Sequence, residues 1–182
     1  MRQHGPWWIC SSREVYRDPW ISVRRDEVIR PDAQPGTYCV VTLKPGVCVV
    51  AVDEEQYVYL TEEFHYGVGR TTLEAVSGGC EPGEDPQETA QRELQEELGI
   101  VAQQWTSLGT VDPFTANVVS PTSLFLARGL RVGPQEPEGT EVIRRVRMPL
   151  LDAIRCVMTS QITHGPTVAL LLKLHVMLTS DR

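Results

Sequence analysis

The stretch from Gly78 to Ile100, GGCEPGEDPQETAQRELQEELGI, constrains the fold of this chain more than any other segment. It reads as a glycine-bearing loop running into one helix with both ends marked. Asp85 is a good N-cap, Pro86 suits the first helical position and Glu88 the third, so DPQE predicts a capping box. Gly99 is the natural stop. Ala90, Leu94 and Leu98 recur every four residues as one apolar ridge, and Arg92, Glu93, Glu96 and Glu97 are expected to face elsewhere. Glu93 lies one helical turn before Glu96 and Glu97, so the carboxylates rise from one face and repel by roughly a few tenths of a kcal/mol per pair. The carboxyl half of a helix is already partly negative, which adds to the strain. A solvated acidic face tolerates that cost. A divalent cation would turn the repulsion into attraction, because hard ions take carboxylate oxygens. Spacing alone leaves both readings open.

The rest of the chain supplies a sheet for such a helix to pack on. Trp20 to Val28 reads as a strand and Thr37 to Leu43 as its partner across the turn RPDAQPG. VCVVAVD and YVYLTEEF are two more β-rich runs, and TTLEAVSGG reads as one strand leading into the loop before the helix. WTSLGTVD, SLFLARGL and TEVIRRVRM follow as strands, with GPQEPEG as a polar loop between the last two. Helices are expected from about Leu150 to Thr159 and after Gly165-Pro166. Strands, one helix, more strands and then helices predict an α+β fold with a mixed sheet between helices. We expect an N-terminal antiparallel β-segment over residues 1–44 and the main domain over residues 45–182.

At 182 residues the chain can bury a real core. Its net charge of −7 argues against nonspecific nucleic-acid binding, which needs a cationic surface. The five cysteines are odd in number and show no CxxC spacing, so neither a disulfide framework nor a zinc site is indicated. With no apolar signal core at the N-terminus and no segment long and apolar enough for a membrane span, a reducing cytoplasm is the expected location.

The order of residues adds what spacing leaves open. From Gly78 five residues lead to Glu84 and seven more to Arg92. RELQEELGI then gives Arg92, Glu93, an apolar residue, any residue, Glu96, Glu97, any residue, Gly99 and an apolar residue. This resembles the signature of the Nudix hydrolases at every defined position. From roughly Val15 to Leu178 the chain looks most like the ADP-ribose pyrophosphatase branch, through its N-terminal β-segment, the TLEAVSGG approach and the closing ITHGPTVALLL helix. The resemblance implies a mixed sheet sandwiched between helices and hydrolysis of a nucleoside diphosphate linked to a second moiety, ADP-ribose or a related nucleotide sugar, into two monophosphates. It also implies Mg²⁺ or Mn²⁺ as cofactor and a homodimer that exchanges N-terminal segments. Another diphosphate substrate, such as GDP-mannose, a dinucleoside polyphosphate or a nucleoside triphosphate, is the alternative. A noncatalytic nucleotide sensor has no need of the complete carboxylate set.

Residue by residue, the resemblance makes Glu93 and Glu97 the first metal ligands, Glu96 a further ligand or a holder of water, and Ser77 a ligand through its backbone carbonyl. Arg92 and Glu84 are expected to brace the loop, with Gly78, Gly79 and Gly83 letting it turn. The general base is expected from the loop GPQEPEGTEVI, with Glu141 first and Glu138 second. Trp20 and Tyr38 match the paired aromatics that hold the base, one from each subunit. Trp7 and Trp8 read as packing for the N-terminal arm. One departure stands out: where the branch reads QYR or QFR this chain has Glu63-Phe64-His65. The expected arginine is a histidine, and Arg70 is the candidate substitute for its contact with phosphate or ribose.

Overall fold

GVCVVAV, continuous in apolar residues, forms the central strand of the larger sheet because it is buried on both faces. The computed structural model describes residues 1–136, 139 and 142–180, and the chain divides into two compact units. One comprises Met1–Lys44 with Phe114–Ser120, the other Pro45–Pro113 with Pro121–Arg182.

The first unit is a sheet in the order β1 (Arg2–His4), β2 (Trp7–Arg17), β3 (Ile21–Ile29), β4 (Pro35–Leu43), β10 (Val118–Val119). Its first four strands are antiparallel neighbours, and β10 adds to β4 in parallel. Val28 and Ile9 are its buried apolar side chains, whereas Val23, Val40 and Val41 are half-buried. Trp8, Val15, Tyr16, Trp20 and Leu43 are exposed. β1 and β2 precede the first strand expected from the sequence, which starts at Trp20.

The second unit carries β5 (Gly46–Val52), β6 (Tyr57–His65), β7 (Arg70–Glu74), β8 (Val76–Gly79), β9 (Ile100–Val111), β11 (Thr122–Val132) and β12 (Arg144–Pro149). The sheet runs β12-β6-β5-β11-β9, with β7 on β6 and β8 on β5. It is mixed, because β11 is parallel to β5 and the other pairs are antiparallel. Alternate residues of β5 feed opposite cores. Val47, Val49 and Ala51 meet Ala90, Leu94 and Leu98 of α1 (Pro86–Leu98). Cys48, Val50 and Val52 meet Leu150 and Ala153 of α2 (Leu150–Met158) and Leu170, Leu171 and Leu174 of α3 (Gly165–Ser180). The expected α+β architecture, a sheet between helices, is the one observed. Among the described residues no helix is long and apolar enough to cross a membrane.

TTLEAVSGG is two strands rather than one. β7 pairs with β6 as far as Glu74, and from Val76 the chain pairs with β5 instead. Ala75 sits at the change of neighbour, where its N–H donates to Thr167 Oγ1 of α3 at 3.0 Å. That switch carries Ser77 and Gly78 to the front of α1.

Candidate active site

Local chemistry starts and stops α1 where the sequence predicts. Asp85 accepts from the Gln87 N–H at 2.8 Å, Pro86 opens the helix, and Gly99 closes it in the left-handed region at φ 62°. Leu94 and Leu98 are fully buried, each contributing about 2 kcal/mol relative to exposure, so the ridge fixes the rotation of the helix. Glu97 differs from the expectation of an outward side chain. It borders the ridge and is only 7% exposed.

Two features converge on Glu93. A Cβ on Gly78 would overlap the Glu93 carboxylate, so only glycine lets β8 and this side chain approach so closely. Arg92 donates to Glu93 Oε1 at 2.8 Å and to Glu96 Oε2 at 3.2 Å through one nitrogen. Its other nitrogens reach both Glu84 oxygens, at 3.2 and 3.3 Å, and the Gly79 carbonyl at 3.4 Å. One guanidinium therefore ties three carboxylates and the glycine loop together. Its hydrogen bonds, with a further one from the Glu81 N–H, pull the Glu84 carboxyl down to about 2.

Glu84, Glu93, Glu96 and Glu97 carry four negative charges against the single Arg92. The donor set of carboxylates, with the Ser77 carbonyl beside Gly78, is all oxygen and fits a hard divalent cation. The cradle over Gly78 keeps the Glu93 carboxylate against β8, as such a site requires. Among the described residues no three acidic, histidine or cysteine side chains converge on one point, and Arg92 binds both Glu93 and Glu96.

The carboxyl end of α1 is held from outside the helix. Glu136 N–H donates to the Glu96 carbonyl at 3.0 Å, Gln135 Nε2 to the Glu97 carbonyl, and Arg145 to the Leu98 carbonyl at 2.6 Å. Arg145 also reaches the Gly133 carbonyl at 3.2 Å, and Gly133 N–H donates to Gly99 O at 2.7 Å. The sequence reading missed Gln135 and Arg145, because nothing local in a strand arginine points to a distant helix end. Glu138 and Glu141 lie outside the described residues.

His65 and Arg70 face each other across the β6–β7 ladder, yet both are engaged elsewhere. His65 Nε2 lies 3.4 Å from Glu74 Oε1 and 3.9 Å from Glu63, and Arg70 donates to Thr163 Oγ1 at 2.8 Å. Glu74 is buried and also accepts from Thr72 at 2.6 Å, with His164 Nδ1 3.1 Å away. Burial pushes His164 below its ordinary value, with the Glu74 charge opposing the shift.

In the first unit Tyr38 pairs edge-on with Trp7, ring centroids 5.5 Å apart, and its hydroxyl donates to the Ala116 carbonyl. The two border a cavity of about 510 Å³ lined also by His4, Arg24, Asp26 and Asn117. Asp26 is buried and bonded by Arg24 at 3.0 Å. Trp20 is 69% exposed, with the Lys44 ammonium 5.4 Å from its ring. Tyr38 is in register with Asp26, six residues from Trp20, so Trp20 and Tyr38 stand about 20 Å apart along the strands and do not meet within one chain.

Two family models match the chain. The NUDIX domain matches residues 42–166, and the nucleoside diphosphate sugar hydrolase N-terminal domain matches residues 7–41. The chain is 30% identical over 172 residues to an ADP-ribose pyrophosphatase of Mycobacterium tuberculosis (strain ATCC 25618 / H37Rv), covering 93% of this chain and 83% of that protein. It is 27% identical over 165 residues to an ADP-ribose pyrophosphatase of Bacillus subtilis (strain 168), covering 86% of each. The crystal structure of an ADP compounds hydrolase shares the fold with a TM-score of 0.82 at 21% identity, covering 100% of this chain and 98% of that one.

Proposed function

The chain belongs to the Nudix family and is a pyrophosphohydrolase, and on that premise we propose that it cleaves the diphosphate bond of ADP-ribose or a related nucleotide sugar with Mg²⁺, or Mn²⁺, giving two monophosphates. The observation that carries the proposal is the Glu93 carboxylate laid over Gly78 and linked by Arg92 to Glu84 and Glu96. Buried Glu97 stands one turn beyond Glu93. Glu93 and Glu97 are the first ligands, with Glu96 and the Ser77 carbonyl completing the set. A divalent cation held there supplies positive charge against the diphosphate oxygens, whose own charge otherwise repels nucleophiles.

The remaining chemistry falls to the chain. A water oxygen attacks one phosphorus, its proton passes to a loop glutamate, and the bridging oxygen leaves with the other phosphoryl group. Glu141 is the proposed base and Glu138 the second choice. Arg92 acts by positioning carboxylates rather than by touching substrate. Its raised pKa, set by its bonds to Glu84 and Glu93, keeps it charged throughout.

Recognition of the nucleoside is assigned to Trp20 and Tyr38 acting from two copies of the chain. Their separation along the strands of one copy, and the exposed Val15, Tyr16, Trp20 and Leu43, support a homodimer built through the N-terminal segment of residues 1–44. We place the enzyme in the cytoplasm. His65 and Arg70 remain the proposed contacts to phosphate or ribose, but their engagement by Glu74 and Thr163 favours keeping a second reading, a different nucleoside diphosphate derivative cleaved by the same carboxylates. A panel of ADP-ribose, other nucleotide sugars, dinucleoside polyphosphates and nucleoside triphosphates, incubated with the protein and Mg²⁺ and resolved by chromatography, separates the two. ADP-ribose is expected to turn over fastest. Faster cleavage of a dinucleoside polyphosphate or a triphosphate would move the assignment to the second reading.

A further inference from the structure

An α-helix ends with four carbonyls that lack helical partners. In α1 these belong to the turn that carries Glu96 and Glu97, and the helix has no basic residue in that turn to answer its negative pole. The Gly99 N–H takes the Gln95 carbonyl at 2.8 Å. Every later carbonyl is taken from outside the helix. Glu136 N–H takes that of Glu96, Gln135 Nε2 that of Glu97, and Arg145 that of Leu98 at 2.6 Å. Gly133 N–H takes that of Gly99, and Arg145 also binds the carbonyl of Gly133, closing a ring of contacts. The fit is close, since a Cβ on Gly99 would overlap the Pro134 carbonyl oxygen.

We infer that Arg145 and Gln135 are positioning residues for the metal carboxylates, holding the backbone of Glu97 and Leu98 so that the acidic turn keeps one geometry. The inference rests on the proposed metal role of Glu93, Glu96 and Glu97. It separates from simple electrostatics by sign. Arg145 is a positive charge at the end of the helix that carries the acidic side chains, so if charge were all that mattered its removal would tighten cation binding. If it fixes the helix end, its removal splays the carboxylates and weakens cation binding, as loss of an outer partner does at other metal sites. Arg144, the next residue of β12, is exposed and bonded to Glu62 at 2.6 Å, and so supplies the same charge change without the contact to α1.

The test is Mn²⁺ binding to the full chain without substrate, followed by the electron paramagnetic resonance of free Mn²⁺, with circular dichroism to check folding. Arg145→Gln is expected to weaken binding about tenfold, the lower end for loss of an outer partner. Arg145→Lys should recover part of the loss, and Arg144→Gln should bind as wild type. Gln135→Ala, which removes only a side-chain donor, should weaken binding measurably but less than Arg145→Gln, and carries the test if Arg145→Gln does not fold. Unchanged or tighter binding by both Arg145→Gln and Gln135→Ala, with wild type binding Mn²⁺ normally, overturns the inference alone. Wild type binding no better than Glu97→Gln overturns the metal reading and the inference with it.

Discussion

Replacing Gly78 with alanine tests the cradle on which the proposed chemistry stands. The new methyl would overlap the Glu93 carboxylate and lie 2.6 Å from Glu93 Cγ. Glu93 Cδ would lie closer still to that methyl, and carbon atoms settle at about 3.5–4.0 Å, so the carboxylate must retreat by about 1.5 Å. It can do so by bending away from its rotamer and loosening the 2.8 Å bond to Arg92, at a cost of about 1 kcal/mol, while β8 and α1 stay where they are. A displacement of about 1 Å in a positioned group already costs about 100-fold in rate, equivalent to about 2.7 kcal/mol of transition-state stabilisation. Catalysis should thus suffer more than stability. With ADP-ribose and saturating Mg²⁺, kcat is expected to fall about 100-fold while the thermal midpoint drops by only a few degrees. A variant with kcat within threefold of wild type and the same Mg²⁺ dependence would refute the reasoning.

Glu97→Gln keeps the side-chain shape and removes a buried charge, so it should fold as well as wild type yet lose activity by about two orders of magnitude. Mg²⁺ should raise its thermal midpoint less than that of wild type, read by differential scanning fluorimetry. Glu141→Gln is expected to cost more turnover than Glu138→Gln with the Michaelis constant largely kept, and steady-state kinetics showing the reverse order would transfer the base to Glu138. Acid stability gives a further check. Glu84 is lowered from 4.5 to about 2 by its bonds to Arg92 and the Glu81 N–H, so its contribution is present above pH 4.5 and is lost as pH falls towards 2. Thermal melts over that window should be flatter for Glu84→Gln.

What could be read from the sequence was whatever short-range chemistry encodes. Asp85, Pro86 and Gly99 mark the ends of α1, and the four-residue recurrence of Ala90, Leu94 and Leu98 marks its buried side. β5 was equally plain because a strand buried on both faces is apolar throughout. β2 was not, since the polar run SSRE interrupts its middle and two bulges break its alternation. The division of TTLEAVSGG at Ala75 depends on which strand lies alongside, and no propensity scale records a change of neighbour. Glu97 was expected to face away from the ridge, because its burial comes from its place beside the ridge, not from its residue type. Arg145 and Gln135 act on a helix end that precedes them by 47 and 38 residues, a relation visible only once the chain is folded. Trp7, read as packing, is the aromatic that meets Tyr38 within the chain, while Trp20 stands exposed.

The central claim is that the chain hydrolyses a nucleotide diphosphate with a divalent cation held by the carboxylates of Glu93, Glu96 and Glu97 on α1. Phosphorus-31 NMR of ADP-ribose mixed with the protein and Mg²⁺ tests it most directly. The diphosphate signals should give way to two monophosphate signals, those of AMP and ribose 5-phosphate, with Glu97→Gln slower by about 100-fold. Diphosphate signals that persist with wild-type protein for ADP-ribose and every other nucleotide of the panel, or a Glu97→Gln protein that matches wild type, would contradict it.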